Sequence, residues 1–104
     1  MAATEAGFER EGDALAFAGA LDRAAATALW IPAGKSLAGA QRIVLTKVTS
    51  VDSAGLALLA ELAGRLRGMG VEPRIEGQPP GLAELRAAYR LGPGLEFPGS
   101  NPTE

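Results

Sequence analysis

One continuous stretch of the chain predicts a buried strand that leads directly into a long amphipathic helix. The segment from Arg42 to Val48 contains the apolar run Ile43-Val44-Leu45, which is typical of a central strand covered on both faces. The helix is predicted over Ala54 to Met69 and ends at Gly70. This order restricts the chain to folds in which helices pack on a sheet.

The residues before this stretch predict a hairpin followed by a first helix. Phe8 to Phe17 holds two short apolar runs around the turn-forming group Glu11-Gly12-Asp13. Asp22 is placed to cap a helix that includes Ala24 to Trp30, which is rich in good helix formers. Pro32 predicts a kink or an interruption of that helix, because proline lacks the amide of an intrahelical hydrogen bond.

The second half of the chain predicts another strand and another helix. Val71 to Ile75 alternates like a strand, and Pro73 favours an edge position or a strand end. A helix is predicted over Leu82 to Leu91, followed by a last short run at Leu95 to Phe97. We therefore expect an α/β fold with a mixed four- to five-stranded sheet and packed helices.

Length and composition bound the possible functions. The 104 residues predict one domain over residues 1–97 and a flexible tail over 98–104. The absence of cysteine and histidine excludes disulfides, thiolate or imidazole metal sites and histidine-dependent catalysis. Ten scattered basic residues and a net charge of −2 make nucleic acid a poor partner. No run is long enough to span a membrane and no secretory signal is recognisable, so a cytoplasmic protein is expected.

Two sets of residues could suggest nucleotide binding or catalysis, but each has a simpler explanation. Gly34-Lys35-Ser36 lacks the glycine that a phosphate-binding loop requires five residues earlier. Asp22 and Asp52 each stand at a predicted helix start, where a negative charge is favoured. We expect no enzyme activity, no cofactor and no metal ion.

The predicted helix 54–69 carries two apolar faces. Its wide leucine stripe is expected to face the sheet. On a second face, Leu56 lies beside the small residues Ala57, Ala60 and Gly64. Leu56 and Ala60 are expected to be exposed, together with the first turn of the helix, as a docking surface for another protein. The alternatives are that these small residues are ordinary filler, or that helix 82–91 covers them. The predicted stripe comprises Leu58, Leu59, Leu62, Leu66 and Met69.

Ser53 and Trp30 are the remaining candidates for function. Ser53 precedes the helix, where its hydroxyl is expected to cap the first turn. Phosphorylation there would be stabilised by the helix amides and would switch a docking surface. Trp30 is interpreted either as a partly buried core residue or as an interface anchor, with Thr27 one turn earlier at the edge of the same patch.

The segment Val51 to Leu59 resembles the signature of STAS domains, in which an Asp-Ser/Thr-x-Gly-Leu turn opens the second helix. In this chain the turn reads Asp52-Ser53-Ala54-Gly55-Leu56. Gly19 to Asp22 looks like the Gly-x-Leu-Asp segment of the same family, so the similarity extends over nearly the whole chain. One departure is Val44, which stands where many relatives carry an aspartate.

Within STAS domains, Leu29-Trp30, the Ala57-Leu58-Leu59 run and Tyr89-Arg90-Leu91 look most like the small cytoplasmic, MlaB-like subunit of Mla-type ABC phospholipid transporters. The resemblance implies a non-catalytic protein that binds and supports the MlaF-like ATPase subunit. It would sit at the inner membrane through that complex, without inserting, and serve outer-membrane lipid asymmetry. The expected partner-binding residues are Ser53, Ala54, Gly55, Leu56, Ala60, Trp30 and Thr27.

The alternative within the family is an anti-sigma-factor antagonist, which a partner kinase phosphorylates on the signature serine. Ser53 is compatible with this class too. Trp30 and the region of Tyr89 favour the transporter subunit. A weak homodimer through the small-residue face is a further expectation.

Overall fold

The computed structural model describes residues 6–92 and residue 95. This part of the chain forms a four-stranded sheet and three helices, which confirms the predicted α/β class. The elements, in chain order, are β1 (Gly7–Glu11), β2 (Ala14–Leu21), α1 (Arg23–Lys35), β3 (Arg42–Val51), α2 (Ser53–Gly68), β4 (Arg74–Glu76) and α3 (Leu82–Tyr89).

The sheet has the order β1-β2-β3-β4 and is mixed. β1 and β2 form the predicted hairpin, with Phe8 opposite Phe17 and a turn at Gly12, whose φ of 62° favours glycine. β2 pairs with β3 in parallel, and β3 pairs with β4 in parallel. Each parallel pair is joined through a helix, as parallel strands require.

The prediction that β3 is covered on both faces is wrong. Ile43, Leu45 and Val48 are buried, whereas Val44 is half-buried and Thr46 is exposed. Because successive side chains point to opposite faces of a sheet, this pattern describes one covered face and one open face. β3 is nevertheless an interior strand, as predicted, and it continues to Val51, three residues beyond the predicted end.

The covered face carries the hydrophobic core. Leu15 and Phe17 of β2 join Ile43 and Leu45 of β3 in one buried cluster with the leucines of α2. α1 and α2 both pack on the strands and on each other, and α3 packs on α2. The fully buried leucines of α2 are Leu58, Leu59, Leu62 and Leu66, which confirms four positions of the predicted stripe.

The fifth position of that stripe, Met69, is 54% exposed, so its predicted burial is wrong. α2 ends at Gly68 and Met69 is its C-cap, with a backbone φ of −92° and ψ of 6°. Outside the regular helix, a side chain no longer lies where a rotation of about 100° per residue would place it.

Pro32 does not interrupt α1, which runs unbroken from Arg23 to Lys35. The carbonyl of Ala28 loses one intrahelical partner, since Pro32 has no N–H group. Ala28 and Pro32 are both exposed. Water can therefore hydrate that carbonyl, which removes the main reason for the helix to break there.

The strand and the helix in the second half of the chain are both shorter than predicted. β4 has three residues, lies at the sheet edge and follows Pro73 directly, in line with the predicted edge position. α3 ends at Tyr89, because Arg90 adopts a left-handed conformation with φ 58° and Leu91 N–H donates to the carbonyl of Arg86. Leu95 is buried. Residues 96 and 97 of the predicted last run, and the predicted tail 98–104, lie outside the described residues.

Arg42 ties the hairpin turn to the edge strand. Its guanidinium donates to Asp13 at 3.0 Å and to Glu76 at 3.2 Å. These hydrogen bonds raise the pKa of Arg42 above its ordinary value, and the bond to Asp13 has the largest effect. All three groups are partly exposed, so the network adds little stability.

The first turn of α2 lies against the end of β2. A Cβ atom on Gly55 would collide with the carbonyl oxygen of Leu21 and would lie 2.8 Å from its carbonyl carbon. The N–H of Asp52 donates to the same carbonyl oxygen at 3.2 Å. Only glycine permits this approach of helix to strand.

We therefore predict that Gly55→Ala destabilises the domain by about 3 kcal/mol, because an added methyl group forces the helix away from β2. Urea unfolding followed by circular dichroism measures the effect. Gly64→Ala is the matched control, since Gly64 lies in the same helix with nothing within 4 Å of an added Cβ. The control is expected to stabilise by about 0.5–1 kcal/mol, and equal effects of the two substitutions would contradict the packing argument.

Candidate functional site

The two longer helices begin side by side at one edge of the sheet. Leu21 and Val51, the last residues of β2 and β3, are partners across the parallel ladder. Asp22 and Asp52 follow these residues and serve as N-caps of α1 and α2. The first turns of the two helices are therefore adjacent.

Asp52, and not Ser53, caps α2. The Oδ1 atom of Asp52 accepts a hydrogen bond from the N–H of Gly55 at 2.9 Å, and Oδ1 of Asp22 accepts one from Ala25 at 2.9 Å. The prediction for Asp22 is confirmed and the prediction for Ser53 as a cap is wrong. β3 continues to Val51, so Asp52 is the junction residue and Ser53 is the first helical residue.

An apolar groove separates the exposed sides of α1 and α2. Trp30, Ile31 and Thr27 form its α1 side, and Ala54 and Ala57 form its α2 side. Trp30 is 38% exposed and Ile31 is 64% exposed. The buried residues Leu29 and Ala33 hold the opposite side of α1 in the core.

A second pocket adjoins this groove between α2 and α3. It is lined by Ser53, Leu56, Ala57 and Tyr89, and Ala57 also lines the groove. The two depressions are thus parts of one continuous exposed area, which we call the helical surface. Its exposed or partly exposed members are Arg23, Thr27, Trp30, Ile31, Ser53, Ala54, Ala57 and Tyr89.

Three of the predicted partner-binding residues do not belong to the accessible part of this surface. Leu56 is 2% exposed, Ala60 is 4% exposed and Gly55 is buried. The expected exposure of Leu56 and Ala60 is therefore wrong. α3 packs on α2, and Tyr89 lies beside Leu56. This geometry supports the alternative in which the helix of the second half covers that face.

Four predicted residues do lie together. Thr27 and Trp30 meet Ala54 in the groove, and Ser53 lies one residue away in the adjoining pocket. Ile31 was not predicted. Leu29 and Ala33 fill the side of α1 that faces the core. At about 100° per residue, Trp30 and Ile31 lie about 100 and 200 degrees from Leu29, away from that side. Two consecutive large apolar residues outside the core were the sequence signal that could have identified Ile31.

The helical surface is mainly apolar, with the charged side chain of Arg23 and the hydroxyl groups of Thr27 and Ser53 as its polar groups. Within residues 6–92 and 95, no group of acidic side chains could hold a metal ion, and no polar or charged residue is buried. The same residues contain no helix that is both long and apolar enough to cross a membrane.

Comparison with known proteins adds three findings. A family model described as Mlab, STAS domain matches residues 5–95. No curated protein sequence matches the chain. The solved structure of the anti-sigma factor antagonist SpoIIAA in its unphosphorylated form is similar, with a TM-score of 0.63 and 16% identity over 86% of this chain and 84% of that chain. At this identity the likeness establishes the fold.

The capping geometry predicts that Asp52→Ala lowers the free energy of unfolding by about 1 kcal/mol, because the amide of Gly55 loses its acceptor. Ser53→Ala, at the adjacent position, is expected to change it by less than about 0.5 kcal/mol. Urea unfolding at pH 7 compares the two variants. A larger loss for Ser53→Ala would show that serine caps the helix.

Proposed function

The chain belongs to the Mlab STAS domain family, and from that membership we propose that it is a non-catalytic subunit that binds the cytoplasmic ATPase of a Mla-type phospholipid ABC transporter. The observation that carries this proposal is the helical surface. It presents large apolar side chains where the sequence resembles the transporter subunit, at Trp30 and Tyr89.

The distribution of exposed apolar side chains supports a docking role. The large exposed hydrophobic residues of the described chain are Trp30, Ile31, Tyr89 and Met69. The first three lie on the helical surface, and Met69 lies at the far end of α2. Concentration of such side chains on one surface is characteristic of an interaction site, and tryptophan and tyrosine are the residues most enriched at energetic hot spots.

The shape of the groove indicates how a partner would bind. Ala54 and Ala57 form a floor of small side chains beside the indole of Trp30. A partner helix can approach such a floor closely and insert an apolar side chain beside the indole. The rigid backbone of two packed helices keeps the entropy cost of binding low.

Binding would support the ATPase through its conformational equilibrium. A subunit that contacts one conformation of the ATPase more extensively shifts the population towards that conformation. This role requires no reaction on the chain itself. Association with the inner membrane would follow from the ATPase complex.

We predict that Ile31→Glu and Ala57→Arg each weaken co-purification with the ATPase at least about tenfold, because each places a charge in the apolar contact. The assay is pull-down of the ATPase from the native cells with tagged chain, quantified by mass spectrometry. Met69→Glu is the matched control, since Met69 is 54% exposed, against 64% for Ile31, but lies outside the helical surface. Undiminished recovery of the ATPase with both surface variants would rule out this docking site.

Leu56→Arg is not a suitable probe of the interface. Leu56 is part of the hydrophobic core, so a charge at that position unfolds the domain whether or not a partner binds. The exposed positions 31 and 57 avoid this ambiguity. Circular dichroism of both variants is expected to match that of the unaltered chain.

The second candidate function is an anti-sigma-factor antagonist, and the position of Ser53 favours it. Ser53 is exposed, occupies the first position of α2 and is not required as the helix cap. Its hydroxyl is therefore accessible to a kinase, and the first-turn amides would stabilise a phosphate. Either partner would meet the same surface.

We predict that the unaltered tagged chain recovers an ABC ATPase and that Ser53 is unmodified in the recovered complex. Mass spectrometry of the complex and of the peptide that contains Ser53 tests both points. Recovery of a kinase-like partner together with phosphoserine at position 53 would instead assign the chain to the sigma-factor regulators.

A further inference from the structure

The sheet face opposite the helices is open in the described part of the chain. Its floor consists of small or short side chains, including Ala16, Ala18 and Val44, all of which are half-buried. Ala16 lies directly opposite Val44, and Ala18 lies opposite Lys47. Because the side chains of Ala16, Ala18 and Val44 are short, a second sheet can approach this part of the face to about 10 Å, the usual distance between packed sheets.

The charges on this open face that form no ion pair are separated by sign. Glu9 and Glu11 stand on β1, whereas Lys47 stands on β3 and Arg74 on β4. All four are exposed, and none forms an ion pair within the described residues. Arg42 of β3 and Glu76 of β4 share this face, but they are already paired with each other, and Arg42 also binds Asp13. One edge of the face is thus acidic and the other carries free cations.

We propose that a second copy of this chain docks on the open face. The two sheets would pack face to face around a two-fold axis that runs along the strands. Rotation about that axis places β1 of one copy over β4 of its partner and β2 over β3. Glu11 is level with Arg74 along the ladder and then faces it across the interface, whereas Glu9 lies between the levels of Arg74 and Lys47. Symmetry repeats this set of contacts.

The size of the face predicts a weak dimer. Four strands spaced about 4.8 Å apart make a face that is about 15–20 Å wide. Over the length of the five-residue β1, about 17 Å, such a face covers only about 300 Å². That area is smaller than the roughly 800 Å² per partner of a stable interface. We expect a dissociation constant between about 10 µM and 1 mM that rises with ionic strength, because the contacts include exposed charges.

The helical surface remains free in this dimer. α1 and α2 pack on the covered face of the sheet, so the two helical surfaces of a dimer point away from each other. The proposal therefore does not depend on the proposed function. Failure of the ATPase pull-down would leave it intact.

Sedimentation equilibrium of the full chain over about 10 µM to 1 mM tests the proposal. At 50 mM salt the average mass is expected to rise with concentration from that of the 10.6 kDa monomer towards twice that value. At 500 mM salt the association is expected to weaken at least about tenfold. This series needs no substitution. A chain that stays monomeric throughout at low salt overturns the proposal.

Charge reversal tests the geometry. The double variant Glu9→Lys, Glu11→Lys and the double variant Lys47→Glu, Arg74→Glu are each expected to be monomeric, because the unpaired charges on the face are then all of one sign. An equimolar mixture of the two is expected to form a heterodimer. Glu84→Lys, an exposed position on α3, is the control and should leave dimerisation unchanged. A dimer that persists in both double variants overturns the proposed face.

Discussion

The close approach of Gly55 to the backbone of Leu21 sets how the first turn of α2 lies against β2, beside the start of α1. The carbonyl oxygen of Leu21 receives the N–H of Asp52, and the absence of a side chain at Gly55 lets the first turn of α2 lie against the same peptide group. α1 begins two residues after Leu21. One peptide group therefore anchors the starts of both helices, and the groove with Trp30 beside Ala54 is a consequence of that anchor.

The one-sided sheet explains why α2 is buried over so much of its circumference. With the helices confined to one face, α2 contacts the strands beneath it, α1 on one flank and α3 on the other. Leu56 and Ala60 are buried, and Leu56 lies beside Tyr89 of α3, so near the first turn of α2 only a narrow exposed strip with Ala57 remains. A partner must reach that strip from the side of α1, where Trp30 and Ile31 project beside it.

Local features were predictable from the sequence, whereas features that depend on distant contacts were not. The hairpin turn at Gly12, the cap at Asp22 and four leucines of the α2 stripe follow from residues within a few positions of one another. The burial of Leu56 depends on a helix about 30 residues away. The choice of Asp52 over Ser53 as cap depends on where β3 stops pairing with β2, and either side chain could have served. The open face beside Val44 required knowledge that all helices lie on one side, which a three-residue apolar run does not contain.

The two exposed faces of this small domain differ in the kind of interaction that each can form with a partner. The helical surface offers aromatic and aliphatic side chains around small ones, which favours a contact that persists at high salt. The open sheet face offers separated charges over an alanine floor, which favours a weak and salt-sensitive contact. Since the sheet lies between them, occupation of one face does not obstruct the other. A dimer through the sheet would carry two outward helical surfaces, so a partner with two equivalent binding sites could engage both and gain avidity without any new contact.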